Sequence, residues 1–135
     1  MEIINKLIFT NGCFDILHRG HIELLKFCKS LGGKVVLGLN SDSSVKRLKG
    51  YARPVNKEED RKIILESIQY VDEVIIFHED TPYELIKKLN PDIIVKGGDY
   101  RLEEIVGKEF ADVILFDYVE GYSTTNIIKK VQKWN

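Results

Sequence analysis

The sequence predicts an α/β protein: a single Rossmann-like domain with a five-stranded parallel sheet and helices on both faces. Three observations predict it. Short apolar runs alternate along the chain with segments of helical spacing, which is the pattern of a parallel sheet wound with helices. The second run is continuous in apolar residues, as a strand covered on both sides requires. The length, 135 residues, fits one domain able to bury a core without disulfides or metals, and no repeat, low-complexity tract or linker divides it.

The elements follow in order. Residues 7–10 form a short apolar run that leads into Asn11-Gly12, a buried strand ending in a loop. Ile22, Leu24, Leu25, Cys28 and Leu31 recur at helical spacing over residues 19–31, and Gly32-Gly33 stops that helix. Residues 35–39 make the second strand. Asn56 followed by Glu59 has the spacing of a capping box, ahead of a helix that carries Ile63, Ile64, Leu65 and Ile68. Residues 74–77 make the third strand. Thr81-Pro82-Tyr83-Glu84 then offers an N-cap, a proline at the first helical position and a glutamate to close the box. That helix runs to Asn90-Pro91, and residues 93–95 and 113–116 supply the fourth and fifth strands. Ser123 or a following threonine caps a last helix, whose end carries Lys129, Lys130 and Lys133 where cations suit the helix dipole.

Composition narrows the function. A chain 44% hydrophobic and 30% charged is an ordinary globular composition, and a net charge of −1 does not suit a general nucleic-acid binder. Residues 1–6 lack the layout of a signal peptide, and no apolar run is long enough to span a bilayer, so a cytoplasmic location without membrane attachment is expected. Cys13 and Cys28 are too few for a disulfide framework or a thiolate metal site.

In an open α/β sheet, ligands collect beyond the carboxyl ends of the strands. Four polar or glycine-rich stretches fall there. The first, from Asn11 to His21, joins the first strand to the first helix, so backbone N–H groups and a helix N-terminus face the crevice and favour an anion. His18 and His21 flank Gly20 at the helix start, where a cation opposes the dipole unless an anion such as phosphate neutralises it. A helix cap is the plainer reading. A metal pair is not supported, because no further histidine or carboxylate cluster completes a coordination set. Gly33-Lys34 and Gly107-Lys108 are not followed by Ser or Thr, and no Gly-x-Gly-x-x-Gly follows the first strand, which disfavours a P-loop or a dinucleotide site.

The second stretch, from Asn40 to Lys57, carries Lys46, Arg47, Lys49, Arg53 and Lys57 with few acids among them. It reads either as a solvated loop or as a phosphate contact. Mutual repulsion in the empty protein predicts that the loop from Lys46 to Arg53 moves until phosphates bind. The third, Lys96-Gly97-Gly98-Asp99-Tyr100, combines glycines that admit a ligand with an Asp99 suited to sugar hydroxyls, or is simply a tight turn. The fourth, Ser123-Thr124-Thr125, sets three hydroxyls at a helix N-terminus: capping accounts for one, phosphate binding for all three. Four such ends describe a polyphosphate lying across the crevice. No general base or covalent nucleophile stands out, which suits phosphorus chemistry driven by positioning and charge neutralisation.

The segment from Gly12 to His21 resembles the Gly-x-Phe-Asp…His-x-Gly-His signature of the cytidylyltransferase-like nucleotidyltransferases. Further stretches resemble one branch, the D-glycero-β-D-manno-heptose 1-phosphate adenylyltransferases: Asn40-Ser41-Asp42, Lys46 to Gly50, Arg53 to Asn56, Glu79-Asp80-Thr81-Pro82, Val95 to Tyr100 and Ser123 to Ile128. That branch is often fused behind a sugar kinase, and here the kinase is expected on a separate chain. The resemblance implies ATP and heptose 1-phosphate as substrates, ADP-heptose and pyrophosphate as products, and Mg²⁺ bound mainly through the nucleotide phosphates. It gives catalytic roles to His18, His21 and Lys49. It places Asn11, Gly12, Cys13, Phe14, Gly20, Lys96, Gly98, Asp99, Ser123, Thr124 and Thr125 on the nucleotide, and Asp15, Asp42, Lys46, Arg53 and Arg61 on the acceptor's phosphate. The family is commonly dimeric, so the resemblance admits a homodimer.

Glycerol 3-phosphate cytidylyltransferases are the nearest rival. They share the look of Tyr70 to Val74 but carry arginines where Gln69 and Tyr118 stand here, which favours ATP over CTP. A nucleotide-binding regulatory module without turnover is the non-enzyme alternative, which the intact His18, His21, Lys46 and Lys49 disfavour. Residues 107–113 are several positions shorter than the heptose branch leads one to expect.

Overall fold

The computed structural model describes residues 6–98, 101–117 and 121–134. Five strands, β1 (Leu7–Gly12), β2 (Lys34–Asn40), β3 (Glu73–Phe77), β4 (Ile93–Gly97) and β5 (Asp112–Phe116), form one sheet in the order β3-β2-β1-β4-β5. Every pairing is parallel. The helices are α1 (Arg19–Ser30), α2 (Asp42–Lys49), α3 (Glu58–Glu66), α4 (Tyr83–Leu89) and α5 (Thr124–Gln132), with a 3₁₀ turn at Leu102–Glu104. The predicted fold class and all five strands are as observed, each strand running one to two residues further than its apolar run.

Register explains how one strand serves two cores. Ile8 pairs with Val35 and Ile93, and Phe9 with Val36 and Ile94, so adjacent residues send matched rows to opposite faces. On one face Ile8, Val35, Ile93 and Val95 pack with Cys28 of α1, beside a cluster joining Leu25 of α1 and Leu65 of α3 to Leu37 and Leu39. On the other, Phe9, Val36 and Ile94 pack with Ile86 of α4 and Ile105 of the β4–β5 connection. The chain lays down β1, β2 and β3 in one direction and then returns past β1 to place β4. The strand order therefore reverses at β1/β4, and the two carboxyl ends there open a crevice.

Three expectations are corrected. Residues 42–49, read as a basic loop, are helix α2: the Ser41 hydroxyl accepts from the Ser44 N–H at 3.2 Å, Val45 is buried, and Gly50 at φ 104° ends it. Lys46, Arg47 and Lys49 fill its last turn, where the dipole favours cations, so their clustering does not imply a mobile segment. Asn56 does not cap α3. Lys57 is the N-cap, without a side-chain bond, while Glu58 accepts the Asp42 N–H at 2.9 Å. At α4 the cap falls on Pro82 rather than Thr81, although the Thr81 hydroxyl still accepts from the Tyr83 N–H at 3.4 Å.

Candidate active site

Between Gly12 and α1 the backbone is strained. Phe14 and Ile16 take φ of 47° and 46°, the left-handed region, which for a β-branched residue such as Ile16 costs on the order of 1–3 kcal/mol. Asp15 holds the loop in that shape. Its buried carboxylate accepts the N–H groups of Val55 at 2.6 Å and Asn56 at 2.9 Å, and its carbonyl accepts the Thr124 hydroxyl. The β1–α1 loop, the α2–α3 connection and the start of α5 are thus tied together at one residue. With its oxygens committed to N–H groups, Asp15 shapes the site instead of meeting the acceptor's phosphate, where a carboxylate would also have the wrong sign.

The two histidines form the capping box of α1. His18 is the N-cap, and its Nδ1 accepts the Gly20 N–H at 3.0 Å; the Nδ1 of His21, three residues on, accepts the His18 N–H at 3.2 Å. An Nδ1 that accepts carries no proton, so this hydrogen-bond network assigns each neutral ring its proton at Nε2. The rings lie 3.9 Å apart between centroids and both line the cleft. Burial lowers the pKa of His18. Burial, with His18 as a second cause and Asp15 opposing, lowers that of His21 to about 4. With both pKa values lowered the imidazoles are neutral, and their Nδ1 atoms satisfy the helix start. Gly20 makes room for this, because a Cβ there would stand 2.8 Å from Cε1 of His18.

A cleft of about 1060 Å³ opens over the carboxyl ends of the strands. Of the residues expected there, Asn11, Gly12, Cys13, Phe14, Asp15, His18, Gly20, His21, Lys49, Arg53, Lys96, Gly98, Ser123, Thr124 and Thr125 line it. Asp99 and Tyr118 lie outside the described residues. Three acceptor-side residues stand elsewhere. Arg61 is 1% exposed and is spent on internal acceptors, donating to the carbonyls of Asn56, Cys13 and Asn40 and to Asp42 at 2.8–2.9 Å. It braces the ends of β1 and β2 and takes Asp42 with it. Lys46 is exposed on α2 and is not part of the cleft wall. Gln69 is exposed on the α3–β3 connection, at the opposite end of the sheet, so it does not select a base within this chain.

The remaining cations gather around Cys13. Burial raises its thiol pKa, while Lys49, Arg61, Arg53 and Lys96 pull it down. Arg53 approaches Asp15 at 3.8 Å, and burial lowers the pKa of Lys96. The hydroxyls at α5 divide three ways. Ser123 accepts the Asn126 N–H at 3.0 Å as the N-cap, Thr124 is tied to the loop, and Thr125 is left to face the cleft. Sequence reasoning missed Asp80 and Thr81 after β3 and Phe116 and Asp117 at the end of β5, although the rule of strand carboxyl ends covers both. It also missed Ile105 and Val106, which come from a connection with no periodicity to signal a wall. Among the described residues, no three His, Cys, Asp or Glu side chains gather as a metal site, and no helix is long and apolar enough to cross a membrane.

A family model described as cytidylyltransferase-like matches residues 9–130. Bifunctional protein HldE of Campylobacter fetus is 57% identical over 127 residues, 93% of this chain, and that of Aliarcobacter butzleri is 54% identical over 129 residues, 95% of it. The chain spans only 28% and 27% of those relatives. A crystal structure of a lipopolysaccharide core biosynthesis protein from Thermoplasma volcanium superposes with a TM-score of 0.72 at 28% identity, covering 87% of this chain and 98% of that one. Pantothenate synthetase of Thermus thermophilus shares the fold, with a TM-score of 0.66 at 14% identity over 96% of this chain and 64% of its own.

Proposed function

Since this chain belongs to the cytidylyltransferase-like family, we propose that it is a nucleotidyltransferase that joins the AMP of ATP to a sugar 1-phosphate, D-glycero-β-D-manno-heptose 1-phosphate, and releases pyrophosphate. The observation that carries the reaction type is the pair of neutral imidazoles, locked as Nε2 donors where the strand order reverses. The heptose acceptor is supported by the branch motifs at Glu79–Pro82 and Lys96–Gly98 and by identities of 51–57% to the HldE proteins over nearly the whole chain.

An oxygen of the acceptor's phosphate attacks the α-phosphorus. The bond from that phosphorus to the oxygen bridging the β-phosphate breaks, and pyrophosphate leaves with the electron pair. A phosphate monoester is largely dianionic at neutral pH, its second pKa being about 6, so no base is needed to create the nucleophile. The protein's part is to align the reactants and stabilise charge. His18 and His21 donate Nε2–H to the α-phosphate oxygens, and being neutral they remain donors without changing protonation. Lys49 and Arg53 sit on the acceptor side, and Lys96 and Thr125 on the nucleotide side. Mg²⁺ would be held mainly through the nucleotide phosphates, whose charge it would offset.

The test is a matrix of ATP and CTP against heptose 1-phosphate and glycerol 3-phosphate, read as pyrophosphate. ATP with heptose 1-phosphate should exceed every other pair by at least about tenfold. A preference for CTP with glycerol 3-phosphate refutes the acceptor and the base, and no pyrophosphate from any pair refutes the reaction.

A further inference from the structure

The β3–α4 connection, residues 78–82, is fastened to α2 in a way that its own turn does not require. Arg47 donates through Nε to Asp80 Oδ1 at 2.7 Å and through its terminal nitrogen to the His78 carbonyl. The Ser44 hydroxyl donates to the Glu79 carbonyl at 2.9 Å, and is itself held by the Asn40 amide at 3.0 Å. Three consecutive residues are thereby pinned to the helix that ends at Lys49. Asp80 and Thr81 both line the cleft, as do Lys49 and Arg53.

The pinning leaves a defined set of polar groups facing the cleft. Arg47 occupies Oδ1 of Asp80, yet that side chain stays 64% exposed, so Oδ2 remains open as an acceptor. The Thr81 hydroxyl accepts the Tyr83 N–H at 3.4 Å, and its own proton stays available to donate to a ligand in the cleft. A carboxylate acceptor fixed to α2 and a hydroxyl on the next residue match the vicinal hydroxyls of a sugar, each of which donates and accepts. They do not match a phosphate, which the carboxylate repels. Fixed donors and acceptors also discriminate strongly, because an analogue lacking the hydroxyl leaves them unpaired.

We propose that Asp80 and Thr81 are specificity-determining residues that read hydroxyls of the acceptor's sugar ring, so that the site favours a polyhydroxylated phosphate over a short one. This rests on the reaction proposed above, and its test is therefore a binding measurement that needs no turnover. Calorimetric titration of the intact chain with heptose 1-phosphate, glycerol 3-phosphate and ATP should give at least a tenfold preference for the sugar phosphate over glycerol 3-phosphate. Asp80→Asn and Thr81→Val should each cut that preference at least fivefold and leave the ATP affinity within twofold, while Thr81→Ser restores it. Should Asp80→Asn fail to fold, the pair Thr81→Val and Thr81→Ser decides alone. Equal affinity for the two phosphates in the parent chain, or an unaltered preference in the folded variants, overturns the inference. An intact preference without pyrophosphate release overturns the reaction and leaves the inference standing.

Discussion

Protonation of His21 tests the capping geometry directly. In the folded chain the Nδ1 of His21 accepts the His18 N–H, and that nitrogen is where a second proton would have to bind. Acid would place two donors face to face and break the box at the start of α1. The folded-state pKa is lowered to about 4 from 6.5, so the folded state resists a proton that the unfolded chain takes up near 6.5. The sign follows: the stabilisation is complete above pH 6.5 and is lost as the pH falls from 6.5 to 4. At about 1.4 kcal/mol per pH unit, the full loss is on the order of 3 kcal/mol, most of it gone by pH 4.5. Other groups titrate in the same range, so the control is His21→Gln. Glutamine is a natural partner at this capping-box position, accepts the same N–H and does not titrate. Urea unfolding of both proteins at pH 7.5, 6, 5 and 4.5 should show similar stability at pH 7.5 and a gap that opens toward acid in favour of the glutamine variant. Parallel acid losses, or an NMR titration of His21 near 6.5, would refute the reasoning.

Three further outcomes are expected. Arg61→Ala should cost about 3–5 kcal/mol in urea unfolding, since it strands the Asp42 carboxylate and the Cys13, Asn40 and Asn56 carbonyls; a loss below 1 kcal/mol would show that Arg61 is not the brace. Gly20→Ala should lower pyrophosphate release at least about tenfold by displacing the His18 ring, with stability within about 1 kcal/mol of the parent, and unchanged turnover would mean that the ring tolerates the methyl group. Lys49→Ala should lower turnover at least about tenfold while Lys46→Ala stays within about twofold, because an ion-paired phosphate contact is worth more than about 1.4 kcal/mol and only Lys49 lines the cleft; equal effects would return both to a diffuse field.

The strands were legible because parallel β-structure buried on both faces needs continuous apolar runs, and residues 35–39 and 93–95 have nothing else to be. Most of the cleft was legible for a related reason: the carboxyl ends of such strands face one crevice, whatever the loops contain. Helix α2 was not, because only Val45 and Leu48 are apolar in Asp42–Lys49, too few to show a period against a run of lysines and arginine. The bonds of Arg61 and Asp15 were not legible because sequence shows a charge but not its partners. Only the fold reveals that Arg61 donates to three carbonyls and that Asp15 receives two N–H groups. Gln69 was used against CTP on resemblance alone, and the fold puts it at the other end of the sheet.

The spacing of His18 and His21 carries two messages at once, which is why neither the plain reading nor the chemical one suffices. The interval from N-cap to N3 is three residues in any helix, so a capping box and a pair of catalytic imidazoles leave the same mark in the sequence. In the structure the readings are divided between the nitrogens of one ring. Each Nδ1 satisfies a backbone donor that would otherwise be orphaned at the helix start, and this bond fixes the tautomer that leaves the proton on Nε2 of a ring lining the cleft. Capping is therefore the means by which the donors are aimed. Alanine at either position removes the cap and the donor together, whereas glutamine at 21 keeps the acceptor on the helix and discards the imidazole donor. A fall in turnover without a fall in stability at pH 7.5 in that variant separates the two nitrogens.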